Sequence, residues 1–183
     1  TIVFYGTAQT IPAGAYYNLT LNQAAGTAIA GGDLAVANTL ELVNGNLNLA
    51  GSNLTLGASA TGVAGAPFSS SKMIIATGVS QVRKVFSSAA SFEFPVGDNT
   101  GSLEYSPITI DATNASGFSG TAYIGITVVD GKHPSNQSTA DFLSRYWCIV
   151  PSEIFGEIDV TATYDVTDLN GLAPDISAGQ LDG

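Results

Sequence analysis

The stretch NLTLNQAAGTAIAGGDLAVANTLELVNGNLNLAGSNLTL, residues 18–56, repeats a short phrase in which polar or small residues alternate with apolar ones. The five clearest copies are Asn18–Leu21, Asp33–Val36, Thr39–Leu42, Asn46–Leu49 and Asn53–Leu56. Copies three steps apart begin 21 residues apart for 18 and 39, and 20 residues apart for 33 and 53. This spacing predicts coils of about twenty residues with three short sides, a three-sided β-solenoid whose coils bury their apolar stripes against one another. It also predicts that Leu21, Leu42 and an apolar position near Val63 share one interior column, and that Leu34 and Leu54 share another.

Glycine and asparagine lie between the copies, where a coil has to turn sharply at a corner. Asn44-Gly45 by itself is typical of a two-residue hairpin turn, so a meander or sandwich is the alternative architecture. The near-constant spacing of six to seven residues between the last four copies favours the solenoid, because a meander has no reason to keep it.

The composition changes near residue 67, since thirteen of the fifteen acidic residues and all five basic ones lie beyond residue 71. We therefore place the solenoid at residues 1–66 and a second domain at 67–183. Short apolar segments separated by turn residues predict strands at 73–76, 79–86, 92–96, 105–111, 122–129, 145–150 and 157–164, and one helical turn at 138–144. The prediction is an all-β chain whose second domain is β-sandwich-like and truncated at its C-terminus.

The charge balance excludes two classes of partner. The formal net charge is −10, and the few Lys and Arg residues do not form the clusters that nucleic acids and anionic membranes require. No run of 18 apolar residues is present, so the sequence predicts no membrane insertion.

Catalytic groups are scarce. Residues 1–71 contain no Lys, Arg or His, and their only acids are Asp33 and Glu41. Glycan-cleaving enzymes need clustered carboxylates, so catalysis on the solenoid is not expected. His133, the only histidine, lacks the companions of a zinc site or a catalytic triad, and Cys148 has the apolar neighbours of a buried filler. We predict no enzyme activity and no organic cofactor.

One turn could bind calcium. Asp165, Asp168 and Asn170 offer three side-chain oxygens within a few residues, although without the spacing of an EF-hand. Ca²⁺ is the one cofactor that the sequence suggests, and a plain Asx-turn without a metal is the alternative.

Three aromatic residues are candidate sugar platforms, namely Tyr16, Tyr17 and Trp147. Tyr16 and Tyr17 are expected to be exposed at a corner, whereas Trp147 lies in an apolar strand where burial in the core is the alternative. Rows of Asn and Thr on the coils could also face a glycan, but hydrogen bonding between stacked coils explains them without a ligand.

The ordered phrases GTAQTIPAGAYYNLTL (6–21), FEFPVGD (92–98), RYW (145–147) and YDVTDLNG (164–171) resemble the large repeat-rich surface proteins of the Bacteroidetes type. That resemblance implies β-solenoid segments alternating with sandwich modules, type IX secretion and cell-surface display. Proteins of this type are often described as adhesin-like. It implies no particular ligand.

These observations lead us to expect a non-catalytic structural or adhesive segment of a larger secreted cell-surface protein, with this chain as a fragment of it. A glycan-binding module and an accessory part of a polysaccharide-active enzyme are the alternatives. The partners expected are a surface glycan or another surface protein, together with neighbouring domains of the same polypeptide.

Overall fold

A computed structural model describes residues 1–173 and residue 179, with only the backbone described at Ala25. The fold is all-β and contains a β-solenoid of about 5 turns with roughly 20 residues per coil, as the repeat predicts. Within the described residues there is no helix that is both long and apolar enough to cross a membrane.

Most strands are short, and a strand is long only where it continues around a corner from one side of the solenoid to the next. In chain order they are β1 (Ile2–Gly6), β2 (Thr10–Ile11), β3 (Gly14–Ala30), β4 (Leu34–Asn48), β5 (Leu54–Leu56), β6 (Val63–Ala64), β7 (Ile74–Ile75), β8 (Val82–Val85), β9 (Ser91–Phe94), β10 (Val96–Asp98), β11 (Glu104–Tyr105), β12 (Ile108–Asp111), β13 (Ala115–Ser116), β14 (Tyr123–Asp130), β15 (Phe142–Leu143), β16 (Arg145–Ser152), β17 (Phe155–Gly156), β18 (Asp159–Ala162) and β19 (Leu169–Asn170). A 3₁₀ turn, Val166–Asp168, precedes β19.

The coils stack in parallel register along three sides, and each side has its own column of apolar residues. The three columns run Ile2, Leu19, Leu40, Val63; then Leu34, Leu54, Val82; then Ala28, Leu47, Ile74, Val96. Alternation along each strand turns these residues towards the interior, where the leucines are at most 1% exposed; Ile2, which ends its column in the first coil, is 51% exposed. The predicted pairings of Leu21 with Leu42 and of Leu34 with Leu54 are both present.

Val63 lies in a different column from the one the repeat suggested. It pairs with Leu40 rather than extending the column of Leu21 and Leu42. The coil from Leu40 to Val63 is longer than the one from Leu19 to Leu40, so a strict repeat overshoots here.

Two corners require glycine for lack of space as well as for backbone conformation. At Gly65, with φ +108°, an added Cβ would lie 2.0 Å from the Leu42 carbonyl oxygen. At Gly45, with φ +77°, it would lie 2.4 Å from the Gly26 carbonyl oxygen. A side chain at either corner would force neighbouring coils apart.

The change of composition at residue 67 does not coincide with a change of strand pairing. Strand β7 pairs in parallel with β4, β8 with β5, and β10 with β7. Coil-type pairing therefore extends past the boundary expected from composition, as far as Gly97. Beyond it the pairing becomes antiparallel, where β14 and β16 extend the solenoid sheet from the edge of β8.

A second, antiparallel sheet consists of the three strands β9, β12 and β18. Apolar residues of this sheet and of β14 belong to one buried cluster together with the solenoid core; they include Phe92, Phe94, Ile108, Ile110, Ile124, Ile126 and Val128. Each predicted strand segment overlaps an observed strand, but the helical turn predicted at 138–144 is wrong. That segment forms a bend and the short strand β15, which pairs with β19.

Lys84 closes one interior column of the solenoid. It pairs with Leu56 and is 5% exposed, and its Nζ donates to the carbonyl oxygens of Gly57 at 2.8 Å, Ala58 at 3.1 Å and Val85 at 2.6 Å. The ammonium also lies 5.6 Å from the ring centroid of Phe86. Burial lowers the pKa of Lys84 to about 8.

This lowered pKa predicts a pH dependence of stability. Between pH 8 and 10 the unfolded chain holds the Lys84 proton more tightly than the folded one, so folding gains stability as pH rises. We expect the free energy of unfolding of the wild type to rise relative to Lys84→Met by on the order of 2 kcal/mol across that range. Urea unfolding of both proteins at pH 7, 8, 9 and 10 measures it, and parallel pH profiles would contradict it.

Candidate functional site

The densest group of charged side chains lies where the β10–β11 hairpin, the β14–β16 strand pair and the 3₁₀ turn meet. We call it the Arg145 cluster; it consists of Asp98, Glu104, Asp130, Arg145 and Asp168. Strand pairing positions most of its members, because Asp98 is opposite Glu104 in the β10–β11 hairpin and Asp130 is opposite Arg145 in the β14–β16 pair.

Arg145 binds three carboxylates at once. Its Nε donates to Asp168 Oδ2 at 2.6 Å, and its two terminal amino groups bind Asp98 and Glu104. The side chains of Arg145 and Asp98 are 0% exposed, and that of Asp168 is 4% exposed. Every nitrogen of the guanidinium is therefore paired out of contact with bulk water.

The electrostatics keep Arg145 charged. Burial alone would lower the pKa of the guanidinium, but hydrogen bonds and charge from Asp168 and Asp98 outweigh burial and raise the pKa above its ordinary value. A guanidinium held in this way does not exchange protons near neutral pH, so it cannot serve as a general acid or base.

The cluster also has the spacing of a cation site. One carboxylate oxygen each from Glu104, Asp130 and Asp168 lies within 4.8 Å of the others, and two Ca²⁺–oxygen bonds in line span about 4.8 Å. Glu104 and Asp168 already have Arg145 as their cation, however. The ion pairs of Arg145 therefore account for the arrangement without a metal, because they hold β10, β11, β16 and the 3₁₀ turn together.

The predicted calcium ligands all have hydrogen-bond partners within the protein. Asp168 joins the Arg145 cluster, whereas Asp165 Oδ1 accepts hydrogen bonds from Thr167 N at 2.9 Å and Thr167 Oγ1 at 2.7 Å. Asn170 Nδ2 donates to the Asp168 carbonyl oxygen at 3.3 Å. The local hydrogen bonds are those of the Asx-turn alternative.

The three aromatic candidates are not brought together either. Tyr16 was expected to be exposed, but it is 9% exposed and its hydroxyl donates to the Pro12 carbonyl oxygen at 2.6 Å, so that expectation is wrong. Its neighbour Tyr17 is 70% exposed. Trp147 packs against the core and donates through Nε1 to the Ser106 carbonyl oxygen. Four strands, β4, β5, β8 and β14, separate β3 from the strand of Trp147.

The polar rows of the solenoid are used between coils. Asn38 Nδ2 donates to Asn18 Oδ1 at 2.8 Å, and Asn44 Nδ2 donates to Asn22 Oδ1 at 2.9 Å. These bonds join adjacent coils, as the ladder interpretation predicts.

The remaining reactive side chains lie outside the Arg145 cluster. Burial raises the pKa of the half-buried Cys148 thiol, which disfavours the nucleophilic thiolate. His133 Nδ1 accepts a hydrogen bond from Ser135 N, and its ring meets that of Tyr146 edge to face with centroids 4.7 Å apart.

Sequence reasoning missed the Arg145 cluster because its members come from five separate segments. The usable signal was modest: Asp98 directly follows the apolar residues FPVG, and Arg145 directly precedes YWCIV. A charge at the end of an apolar strand has to find a partner there or reach water.

Comparison with known proteins assigns the chain to no family. The function is therefore inferred from the residues of the chain itself. No protein-family model, curated protein or solved structure shows significant similarity to the chain.

Proposed function

We propose that the chain is a non-catalytic structural or adhesive segment of a larger secreted cell-surface protein. The observation that carries this proposal is the use of its polar groups: those of the coils bond to neighbouring coils, and the buried charges bond to one another. Thr20 Oγ1, for example, donates to Glu41 Oε2 of the next coil at 3.0 Å. Side chains engaged in this way stabilise a scaffold and are poorly placed to act on a substrate.

The surface depressions support the same proposal. One cavity of about 180 Å³ is lined by apolar and small residues around Lys84, and another of about 310 Å³ is lined by residues such as Gln23, Asn44 and Asn46. Neither has a carboxylate or a histidine in its lining. These two cavities and the acidic groups therefore do not coincide, which disfavours glycan cleavage in either of them.

Surface display is tested on cells that produce the protein. Antibodies raised against the solenoid, residues 1–98, should label intact cells as strongly as permeabilised ones. Staining that requires permeabilisation would contradict display at the surface. In parallel, the purified chain should release no reducing sugar from a panel of polysaccharides. Release that Glu104→Gln abolishes would instead favour the enzyme alternative.

A glycan-binding module is the second candidate, and the exposed ring of Tyr17 is the observation that favours it. Sugar rings stack on exposed aromatic faces, and Tyr17 is the one predicted platform whose ring is largely exposed. If this candidate is correct, Tyr17→Ala should remove glycan-array binding while leaving the melting temperature unchanged. Trp147→Ala would mainly lower stability, because it opens a gap against the core.

A further inference from the structure

Arg83 lies in the middle of the sheet that joins the solenoid to the antiparallel strands. It is paired with Thr55 of β5 on one side and with Gly125 of β14 on the other. Its chain neighbours Val82 and Lys84 are buried at 0% and 5% exposure, so alternation along β8 places Arg83 on the outer face. We call the group Thr55, Gln81, Arg83, Tyr123 and Gly125 the Arg83 platform.

The guanidinium of Arg83 is held in place without being neutralised. Its Nε donates to Gln81 Oε1 at 2.8 Å, and its central carbon lies 5.1 Å from the ring centroid of Tyr123. Among the described residues no carboxylate forms an ion pair with Arg83. Both terminal amino groups therefore remain available as a planar fork of donors, which matches the two oxygens of a carboxylate.

Gly125, opposite Arg83 on β14, leaves room for the side chains of Gln81 and Arg83. An added Cβ there would lie 3.0 Å from Gln81 Oε1 and 3.5 Å from Arg83 Cγ. A side chain at this position would press on the amide that orients Arg83. Gly125 itself is buried, so the missing side chain gives Gln81 and Arg83 the room to lie across β14 in this arrangement.

The position within the sheet distinguishes between classes of acidic ligand. Extended peptides bind sheets mainly by adding a strand to an open edge, where backbone groups lack partners. Strand β8 has β5 on one side and β14 on the other, so its backbone offers a peptide no such edge. A ligand here has to be recognised by side chains alone. A sugar that carries a carboxylate and hydroxyls meets that requirement, because its carboxylate can bind Arg83 and a hydroxyl can bind the Gln81 amide.

We propose that the Arg83 platform binds a uronic-acid residue of an acidic glycan, with the sugar carboxylate on the two terminal amino groups of Arg83. The protein carries a net charge of −10, so a densely charged polymer is repelled overall and binding depends on this one local fork. The site needs neither secretion nor surface display of the chain, so it can fail or succeed independently of the proposed function.

The test is calorimetric titration of the intact chain with trigalacturonic acid at low salt. Its methyl ester, which lacks the charge, should bind at least tenfold more weakly. Arg83→Gln should weaken trigalacturonate binding at least tenfold, and Arg83→Lys should recover only part of the loss because an ammonium lacks the fork. Lys72→Gln removes the same charge at another coil and should leave the affinity within twofold.

Several results would overturn the proposal. They are no binding of trigalacturonate by the wild type, equal binding of the methyl ester, or full affinity in a folded Arg83→Gln variant. A hexa-aspartate peptide that binds as tightly as the sugar would also overturn it, since the platform would then recognise acidic peptides. Circular dichroism of each variant checks folding. Gln81→Ala, which releases Arg83 without changing the charge, should weaken binding severalfold and serves if Arg83→Gln does not fold.

Discussion

Leu42→Asp is expected to lower the free energy of unfolding by on the order of 4 kcal/mol. Leu42 is 0% exposed, with Leu21 of the preceding coil on one side and the close corner at Gly65 on the other. A carboxylate at this fully buried position loses its hydration. Urea unfolding followed by circular dichroism measures the loss.

Glu41→Ala is the matched control, one residue away and facing outward. Its carboxylate is partly exposed and accepts the one hydrogen bond from Thr20 Oγ1, so the expected cost is about 0.5 kcal/mol. If Leu42→Asp leaves the stability unchanged, or if Glu41→Ala lowers it more than Leu42→Asp does, then Glu41 and not Leu42 faces the interior of the solenoid. The inward column, and with it the coil assignment, would then be wrong.

The coil geometry could be predicted because it is written locally in the sequence. A strand has a period of two, and a coil of three sides returns to the same side after about twenty residues, so Leu34 and Leu54 find each other by spacing alone. The prediction weakened where a corner changed length, as before Val63. It also placed a boundary where the basic residues and most of the acidic ones begin, although Val82 and Ile74 continue the columns of the earlier coils.

The Arg83 platform and the Arg145 cluster could not be predicted in the same way. Both depend on antiparallel pairing, which sets residues far apart in the chain against one another with no fixed spacing. The sequence does not show what Gly125 is for, because only its pairing with Arg83 reveals that it makes room for the Gln81 and Arg83 side chains. For the same reason the spacing of Asp165, Asp168 and Asn170 in the turn could not show that Asp168 binds a distant arginine.

Arg145→Leu is expected to cost about 3–5 kcal/mol of unfolding free energy, the usual consequence of removing one partner from a buried ion pair. The substitution leaves the carboxylates of Asp98 and Asp168 buried, at 0% and 4% side-chain exposure, without the cation they share. It also releases the hairpin and the 3₁₀ turn from β16, so proteolysis after Glu104 or near Asp168 should accelerate.

A triple variant separates lost pairing from lost packing. Asp98→Asn and Asp168→Asn remove the two stranded charges, so adding them to Arg145→Leu should recover at least half of the lost stability even though no ion pair returns. Denaturant unfolding of the wild type, Arg145→Leu and the triple variant at one pH supplies the comparison. If the triple variant is as unstable as Arg145→Leu, uncompensated charge is not the cause, and the role of Arg145 is then to fill space between β10, β16 and the 3₁₀ turn.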